Sequence, residues 1–497
     1  METINEKYNI EITVLSPLSI GAGADKDLVK GVDFIVKDKK VYLLNLKKMI
    51  ENGVDIQSLT TYFADKNAGA VLKMVEGKLN AVSDTQFDLP SNSDIDIKSF
   101  IKNELSGKPI IPGSSLKGAV RSVILDYLLA GQKIVNSKEE KTYFGDSTKG
   151  DELMRFIKFS DAEFDETALV NTKIFNLYGS GNSWQGGWKH SGRETAKNYQ
   201  ATGFNTLYES ILPEQKGLCS IMFSKVLFDR IENHIKKTEK ERLFSIIELF
   251  EIINRHTKNY IKKEIAFFKK YSTDKTDEII KSLEYLATQI PKDNSSCVLK
   301  MSAGSGFHSI TGDWQYDDYI ETGIWNSGKR KYKSRKIAIH NDCFSLMGFV
   351  KLQPISEEEY EKRREIRVEK ERQISEERQA EQERIRVEKE RKVKEDSEKQ
   401  RKIEEERLKK EQEEQAEQQR LAALSSDDKE KEKYDNQLKS EWGNLVNSSL
   451  DNAELTKSFY EWLKQKLSEN KLWNVNMNDN KDKWVKRCSK IEGKIRQ

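Results

Sequence analysis

The chain has 497 residues, of which 36% are hydrophobic and 34% are charged, and its formal net charge is only +3. This length allows two or three domains, and so high a charged fraction is not typical of one uniform globular domain. Because the net charge is small, a diffuse basic surface is excluded, and any contact with nucleic acid must come from local patches.

The N-terminal part predicts a meander of short strands. Residues 8–15 alternate apolar and polar side chains, as in a half-buried strand, and residues 16–23 turn out of it through Gly21 and Gly23. Residues 33–36 and 40–44 then form a predicted hairpin. Asp33 stands at its start, where a short carboxylate most often has a structural role.

Residues 46–103 follow with apolar side chains at helical spacing, and we interpret them as a helical insertion.

The most informative stretch is residues 110–121, which predicts the end of a strand, a Pro-Gly turn and an amphipathic helix that continues to about residue 130. Two cations four residues apart share its polar side, two serines are candidate caps, and two glycines leave space for a close approach; these residues are Lys117, Arg121, Ser114, Ser115, Gly113 and Gly118. Together they suit an RNA phosphate. Ordinary helix capping by the serines is the alternative.

The run Pro-Gly-Ser-Ser-Leu-Lys-Gly-Ala-x-Arg in this stretch resembles the signature of the RAMP superfamily, the RNA-binding subunits of CRISPR effector complexes. The resemblance implies an α+β protein with a ferredoxin-like, RRM-related fold that carries helical insertions. It also implies RNA contact at the loop with Gly21 and Gly23. Asp33 lies in a segment like the one where target-cleaving backbone subunits carry their acidic residue.

Three segments after the signature extend the pattern. Residues 156–162 predict a strand that ends in Ser160-Asp161, similar to the next element of the family. Residues 176–205 are rich in glycine and tryptophan, and we interpret them as a loop in which aromatic and cationic side chains can hold RNA: Trp184, Trp188, Lys189, His190 and Arg193. Residues 230–290 predict a helical hairpin packed on the sheet.

Residues 299–309 predict a strand that runs into a Gly-x-Gly loop, which resembles the loop lying against the guide RNA in RAMP domains. Its candidate RNA-binding residues are Gly304, Gly306, Phe307 and His308. A histidine can also act as a general acid or base, so His308 is a weak catalytic candidate.

The compact basic cluster at residues 329–336 stands where the family often has a Thr-Arg-like pair. Arg335 and Lys336 are therefore candidate RNA contacts. A solvated surface run is the alternative, because the family's Pro-x-Thr pattern is missing.

Beyond residue 355 the composition changes abruptly. Residues 357–420 hold 20 Lys and Arg and 23 Asp and Glu, and the segment 366–372 recurs at 385–391. Glu–Lys pairs at i,i+4 predict a charged, solvated helix over 356–424 that acts as a spacer, with a coiled coil as the alternative. Residues 430–497 contain four tryptophans at Trp442, Trp462, Trp473 and Trp484, and predict a small α-helical domain.

The four cysteines lie far apart, which argues against a zinc site or a disulfide framework. No apolar run is long enough to span a bilayer, so we expect a cytoplasmic protein with no membrane partner. We also expect no metal and no cofactor.

Residues 1–355 would form the RAMP domain, and the insertion before the signature is most similar to the subunit that caps the crRNA 3′ end in Csm-type (type III-A) complexes. That resemblance implies a non-catalytic, guide-RNA-binding subunit whose partners are crRNA, the RAMP backbone subunits and, indirectly, target RNA. A metal-dependent endoribonuclease that uses Asp33 is the alternative. A scaffold organised around the long helix is a third.

Overall fold

The computed structural model describes residues 4–90, 96–132, 139–180, 183–231, 235–301, 334–474 and 483–497. Its strands are β1 (Glu6–Val14), β2 (Phe34–Lys37), β3 (Lys40–Leu44), β4 (Ser83–Asp88), β5 (Ile97–Lys98), β6 (Ile110–Ile111), β7 (Ile157–Phe159), β8 (Ala162–Glu163), β9 (Ala168–Ser180), β10 (Ser183–Lys189), β11 (Thr195–Ala196), β12 (Asn205–Ser210), β13 (Lys216–Phe223), β14 (Cys297–Lys300), β15 (Ser334–His340), β16 (Cys343–Leu346) and β17 (Phe349–Ile355).

The helices are α1 (Leu46–Glu51), α2 (Ile56–Ala64), α3 (Ala68–Val75), α4 (Leu79–Val82), α5 (Gly113–Leu129), α6 (Lys141–Phe144), α7 (Lys225–Asp229), α8 (Lys237–Leu243), α9 (Ile246–Lys270), α10 (Thr276–Thr288), α11 (Glu357–Ala423), α12 (Ser426–Asn436), α13 (Trp442–Asp451), α14 (Lys457–Glu469) and α15 (Lys483–Arg496). The chain forms two compact units, Met1–Glu369 and Lys370–Gln497. Among the described residues, no helix is both long and apolar enough to span a membrane.

The first unit is built on an antiparallel sheet of order β14-β17-β1-β13-β7. In chain order its elements β1, α5, β7, β13, α9 and β17 alternate as β-α-β-β-α-β, and the sheet order of these four strands is that of a ferredoxin-like fold. Strand β14 extends the sheet at one edge. The predicted α+β, ferredoxin-like architecture is confirmed.

Helix α5 forms because apolar residues recur along one side of it and are buried. Leu116, Val120 and Ile124 are fully buried and belong to one core with Ile10 and Ile12 of β1. Helix α9 adds its own apolar stripe to the same core. The opposite side of α5 is therefore left for other contacts.

The predicted insertion is helical only in its first part. Helices α1 to α4 end at Val82, and the next residues form β4, which pairs with β3 of the hairpin. The prediction of helix over the whole of residues 46–103 is wrong for this strand. The helices pack on the β2-β3-β4 sheet around a core that includes Met49, Leu59 and Val75. Within residues 230–290, α9 and α10 pack against each other as a helical hairpin, and the shorter helix α8, which the two-helix prediction lacked, precedes them.

The glycine- and tryptophan-rich segment is mostly not a loop. It forms β9 and β10 of a second sheet, of order β11-β10-β9-β12-β5, in which β15 also pairs with β9. Trp188 is fully buried and its Nε1 donates to the Asp274 carbonyl at 2.8 Å. His190 is 92% buried, since its exposed fraction is 8%. The interpretation of this segment as an RNA-stacking loop is therefore wrong for Trp188 and His190.

One face of the central sheet is polar, and the first turns of α11 cover it. Asn9 donates to Glu357, and Glu11 forms ion pairs with Arg363 and with Lys216 of β13. Farther along the helix, Arg367 Nη2 lies 3.1 Å from Glu163 Oε2. The beginning of the long helix is thus part of the first unit.

The rest of α11 is a solvated helix. The whole of α11 has 67 residues, which corresponds to about 100 Å of helix axis. Ion pairs within it connect residues three or four apart, such as Lys392 with Glu388 at 2.9 Å, and near its end Arg420 also pairs with Glu432 of α12 at 2.8 Å. Apolar side chains described along it are exposed, as at Ile385 and Val393.

Helices α12 to α15 form a small domain with a core of its own. Tyr434, Trp442, Phe459 and Leu463 are buried together. Ser449 connects the helices inside this core, because its Oγ donates to Glu430 Oε1 at 2.8 Å and also lies 2.8 Å from Tyr434 Oη.

Candidate nucleic-acid interface

The N-terminus of α5 is capped from a distant segment. Pro112 occupies the N-cap position without a side-chain bond, so Ser114 and Ser115 lie inside the first turn, and the prediction that they cap the helix is wrong. Instead, the Gly113 N–H donates to Asp161 Oδ1 at 2.7 Å. A Cβ at Gly113 would lie 2.2 Å from the Phe159 carbonyl oxygen. The signature and the Ser160-Asp161 motif therefore form one structural unit.

The outward side of α5 combines small residues with a cation. Ser114 and Gly118, four residues apart, are both exposed, and a Cβ at Gly118 would meet no atom within 4 Å. Lys117 lies next to them and forms no ion pair with any residue that the structure describes. A phosphate could approach the helix backbone closely here and find a positive charge beside it.

Two further cations enlarge this patch. Burial lowers the pKa of Lys117 below its ordinary value, and the charges of Lys158 and Arg155 act in the same direction, while Glu152 opposes them. Arg155 precedes β7 and Lys158 lies in it, and both side chains are exposed. We define Ser114, Lys117, Gly118, Arg155 and Lys158 as the α5 patch.

Sequence reasoning did not find Arg155 and Lys158. Only the pairing of β7 with β13 next to α5 brings them close to Lys117. A weak signal was present, because Lys158 alternates with Ile157 and Phe159 in the predicted strand and therefore points away from the core.

Arg121, the second signature cation, is partly engaged inside the protein. Its Nη2 lies 2.7 Å from Glu140 Oε2, and its guanidinium carbon lies 4.3 Å from the centre of the Phe144 ring. Its side chain keeps a third of its surface exposed, at 33%. Arg121 thus anchors α6 to α5, and Lys117 is the less engaged of the two cations.

The glycine loop at Gly21 and Gly23 is connected to α5 by backbone pairing. Gly21 forms a bridge with Phe100, and the Ile101 N–H donates to the Ile20 carbonyl at 2.9 Å. The Ile110 N–H in turn donates to the Ile101 carbonyl, and β6 leads directly into α5. Both glycines are exposed, and Gly23 has a φ of +122° that disfavours other residues.

A buried glutamate holds the middle segment of this ladder. Glu209 accepts the Phe100 N–H at 3.0 Å and the Thr167 hydroxyl at 2.6 Å, and it pairs with Lys102 at 2.7 Å. Its side chain is only 1% exposed. Glu209 therefore positions the Gly21 loop through the segment on which the loop lies.

Asp33 has a structural partner. Its Oδ2 accepts the Val29 N–H at 2.8 Å, and its own N–H donates to the Val29 carbonyl at 2.9 Å. The carboxylate thus closes the turn before β2. In the described part of the chain, no group of three or more His, Cys, Asp or Glu side chains is arranged to hold a metal ion.

The basic cluster is only partly described. Arg335 is buried, with Nη2 2.9 Å from Glu264 Oε1 and Nε 3.0 Å from Glu264 Oε2. Its guanidinium faces the protein interior in this conformation, contrary to the expected surface contact, and we leave it out of the interface. Lys336 donates to Tyr208 Oη at 2.6 Å, and burial lowers its pKa to about 8. Gly304, Gly306, Phe307 and His308 lie outside the described residues.

The β-α-β-β-α-β order of the core and the strand order of its sheet define an α+β protein of the ferredoxin-like, RRM-related fold class. The comparison with family models gives the particular family, because the model of the RAMP superfamily matches residues 11–315. The chain belongs to the RAMP superfamily.

Solved structures similar to the chain include a subunit from "Cryo-EM structure of Csm-crRNA-target RNA ternary complex in type III-A CRISPR-Cas system", at 16% identity and a TM-score of 0.47 over 70% of this chain and 100% of that one. Csm5 of T. onnurineus is similar at 18% identity and a TM-score of 0.45, over 68% of this chain and 99% of that one. A search of curated protein sequences finds no significant match.

Proposed function

We propose that the protein is a guide-RNA-binding structural subunit of a type III CRISPR interference complex. In this proposal it caps the end of the RAMP filament that holds the 3′ portion of the crRNA, contacts the neighbouring backbone subunit, and supports crRNA maturation in antiviral defence. Target RNA reaches it only through pairing with the guide.

The α5 patch is the observation that carries this proposal. The charge of Glu152 acts on Lys117 against those of Arg155 and Lys158, Asp161 is engaged by the Gly113 N–H, and Ser114 and Gly118 leave the helix surface open. Such a patch binds the sugar-phosphate backbone without reading bases, as a subunit that holds guides of any sequence requires. The Gly21 loop, which backbone pairing connects to the strand before α5, supplies a second stretch of accessible backbone.

The capping role is supported by the insertion between the hairpin and the signature. Helices α1 to α4 and strand β4 separate β3 from α5 and form a packed body with a core of their own. In the backbone subunits of the superfamily, by contrast, the signature follows the hairpin closely. A bulky insertion at this point favours a subunit at the end of the filament over one that is repeated along it.

Replacing two cations of the patch tests the proposal. We expect Lys117→Gln with Lys158→Gln to weaken crRNA retention by the assembled complex. The slope of the logarithm of the binding constant against the logarithm of the salt concentration should become shallower by up to about 1.4, since each phosphate contact on a single strand contributes about 0.7. Filter binding of labelled crRNA between low and high salt measures this slope.

The matched control is Lys262→Gln with Lys281→Gln, two exposed lysines on α9 and α10 of the same unit. It removes the same charge from the same domain and should leave the slope unchanged. If both double variants retain crRNA equally at every salt concentration, the α5 patch does not hold the guide.

A further inference from the structure

The last helix of the small C-terminal domain is strongly basic. Helix α15 contains six cationic residues and one acidic residue among its 14 positions. Val485, Cys488 and Ile491 are buried on one side of it, and Ile491 packs in the core of the small domain. The cations therefore gather on the remaining surface of the helix.

Not all of these cations are available to a ligand. Arg487 Nε donates to Asn447 Oδ1 at 3.0 Å, and Arg496 pairs with Glu492 at 3.9 Å. Lys494 lies 6.0 Å from the centre of the Tyr460 ring. In contrast, Lys486 and Lys490 are exposed, and neither forms an ion pair with any described residue.

Small residues stand beside these two lysines. Ser489 and Gly493 are exposed, and a Cβ at Gly493 would meet no atom within 4 Å. Positions 486, 489, 490 and 493 lie three or four residues apart, so they share one face of the helix. We define these four residues as the α15 face.

The α15 face repeats the residue spacing of the signature in α5, although Arg121 of α5 pairs with Glu140 whereas Lys490 forms no ion pair with a described residue. In both helices two cations lie four residues apart, and a serine and a glycine, also four apart, alternate with them: Lys117, Arg121, Ser114 and Gly118 in α5, and Lys486, Lys490, Ser489 and Gly493 in α15. The two helices belong to different units, and the family match at residues 11–315 does not reach α15.

We propose that the α15 face binds the phosphate backbone of single-stranded RNA, as a second RNA contact of this chain. Its two ammonium groups supply the charge, and the small side chains let a strand lie close to the helix. The face contains no apolar or aromatic side chain, whereas the centre of a protein interface is usually enriched in them. This composition favours RNA over an acidic protein.

The test uses the full-length protein and a labelled 20-nucleotide oligouridine. We expect Lys486→Gln with Lys490→Gln to weaken binding about tenfold at low salt and to lower the salt slope by up to about 1.4. Control variants Lys439→Gln with Lys457→Gln remove two exposed lysines from the same domain and should bind like the unmodified protein. Equal binding by the α15 and control variants would overturn the proposal.

A double-mutant cycle distinguishes failure of this proposal from failure of the proposed guide-binding function. The α5 double variant, the α15 double variant and their combination are compared with the unmodified protein. Additive losses support two independent contacts; a loss confined to the α5 variant rejects the α15 face and leaves the guide-binding function intact. Poly-glutamate serves as a competitor, and if it displaces RNA from the α5 variant as well as unlabelled RNA does, the α15 face is a general polyanion surface and the proposal fails.

Discussion

Ion pairs in the two units have the same chemistry but opposite surroundings. Arg335 and Glu264 in the first unit are 3% and 1% exposed, whereas Lys392 and Glu388 of α11 are 65% and 57% exposed. Water and salt screen the second pair, but almost no water reaches the first. Burial, and not the number of charges in a segment, therefore decides how strongly a pair affects stability.

The largest effect should come from removing one partner of the buried pair. Glu264→Ala leaves the Arg335 guanidinium without its carboxylate between α9 and β15, and we expect a loss of about 3 kcal/mol or more in the free energy of unfolding of the first unit. Urea unfolding, monitored by hydrogen exchange in peptides from β9 and α9, measures this loss of free energy. Glu284→Ala, at an exposed position of α10, is the control. Similar losses in both variants would mean that burial is not the cause.

A medium effect should distinguish the two glycines of the signature. In Gly113→Ala the new Cβ would lie 2.2 Å from the Phe159 carbonyl oxygen, so we expect a loss of about 1–3 kcal/mol in the free energy of unfolding. In Gly118→Ala the Cβ meets nothing within 4 Å, and better helix propensity should stabilise α5 by about 0.5–1 kcal/mol. The same unfolding measurement covers both variants. Equal effects would show that the close approach at Gly113 does not constrain the fold.

The smallest effect should come from α11. Glu388→Gln removes an exposed carboxylate that pairs with Lys392, and we expect no measurable change in the unfolding midpoint of either unit. Circular dichroism of the full chain should likewise keep its helical signal. A loss comparable to that of Glu264→Ala would show that the pairs of α11 act as a cooperative network.

Local patterns were enough to predict the elements that depend on neighbouring residues. The alternation in β1, the β2–β3 hairpin, the stripe of α5 and the charged helix α11 each follow from residues close together in sequence. The second sheet was missed because Gly186 and Gly187 made its strand resemble a loop. Gly186 is needed there, since a Cβ would lie 2.2 Å from the Tyr271 carbonyl oxygen, and no sequence pattern shows that approach.

The residues of the candidate site also fall into those that local sequence predicts and those that only the fold brings together. Lys117 and its small neighbours could be recognised from the signature, whereas Arg155 and Lys158 join them only through the fold. Arg335 looked like part of a surface run because its partner, Glu264, is 71 residues away in the sequence. Contacts of this kind depend on tertiary packing, which a single sequence does not display.

The docking of α11 on the central sheet has a mechanical consequence. The helix follows β17 directly, and its first turns are tied to β1 through Asn9 and Glu11 and to β8 through Glu163. A force applied along the axis of α11 would act on all of these contacts at once and would shear them. It would not separate a single edge strand from the sheet. Tension from the residues that follow β17 would therefore act on β17 and on its neighbour β1, both of which lie inside the sheet and not at its edge.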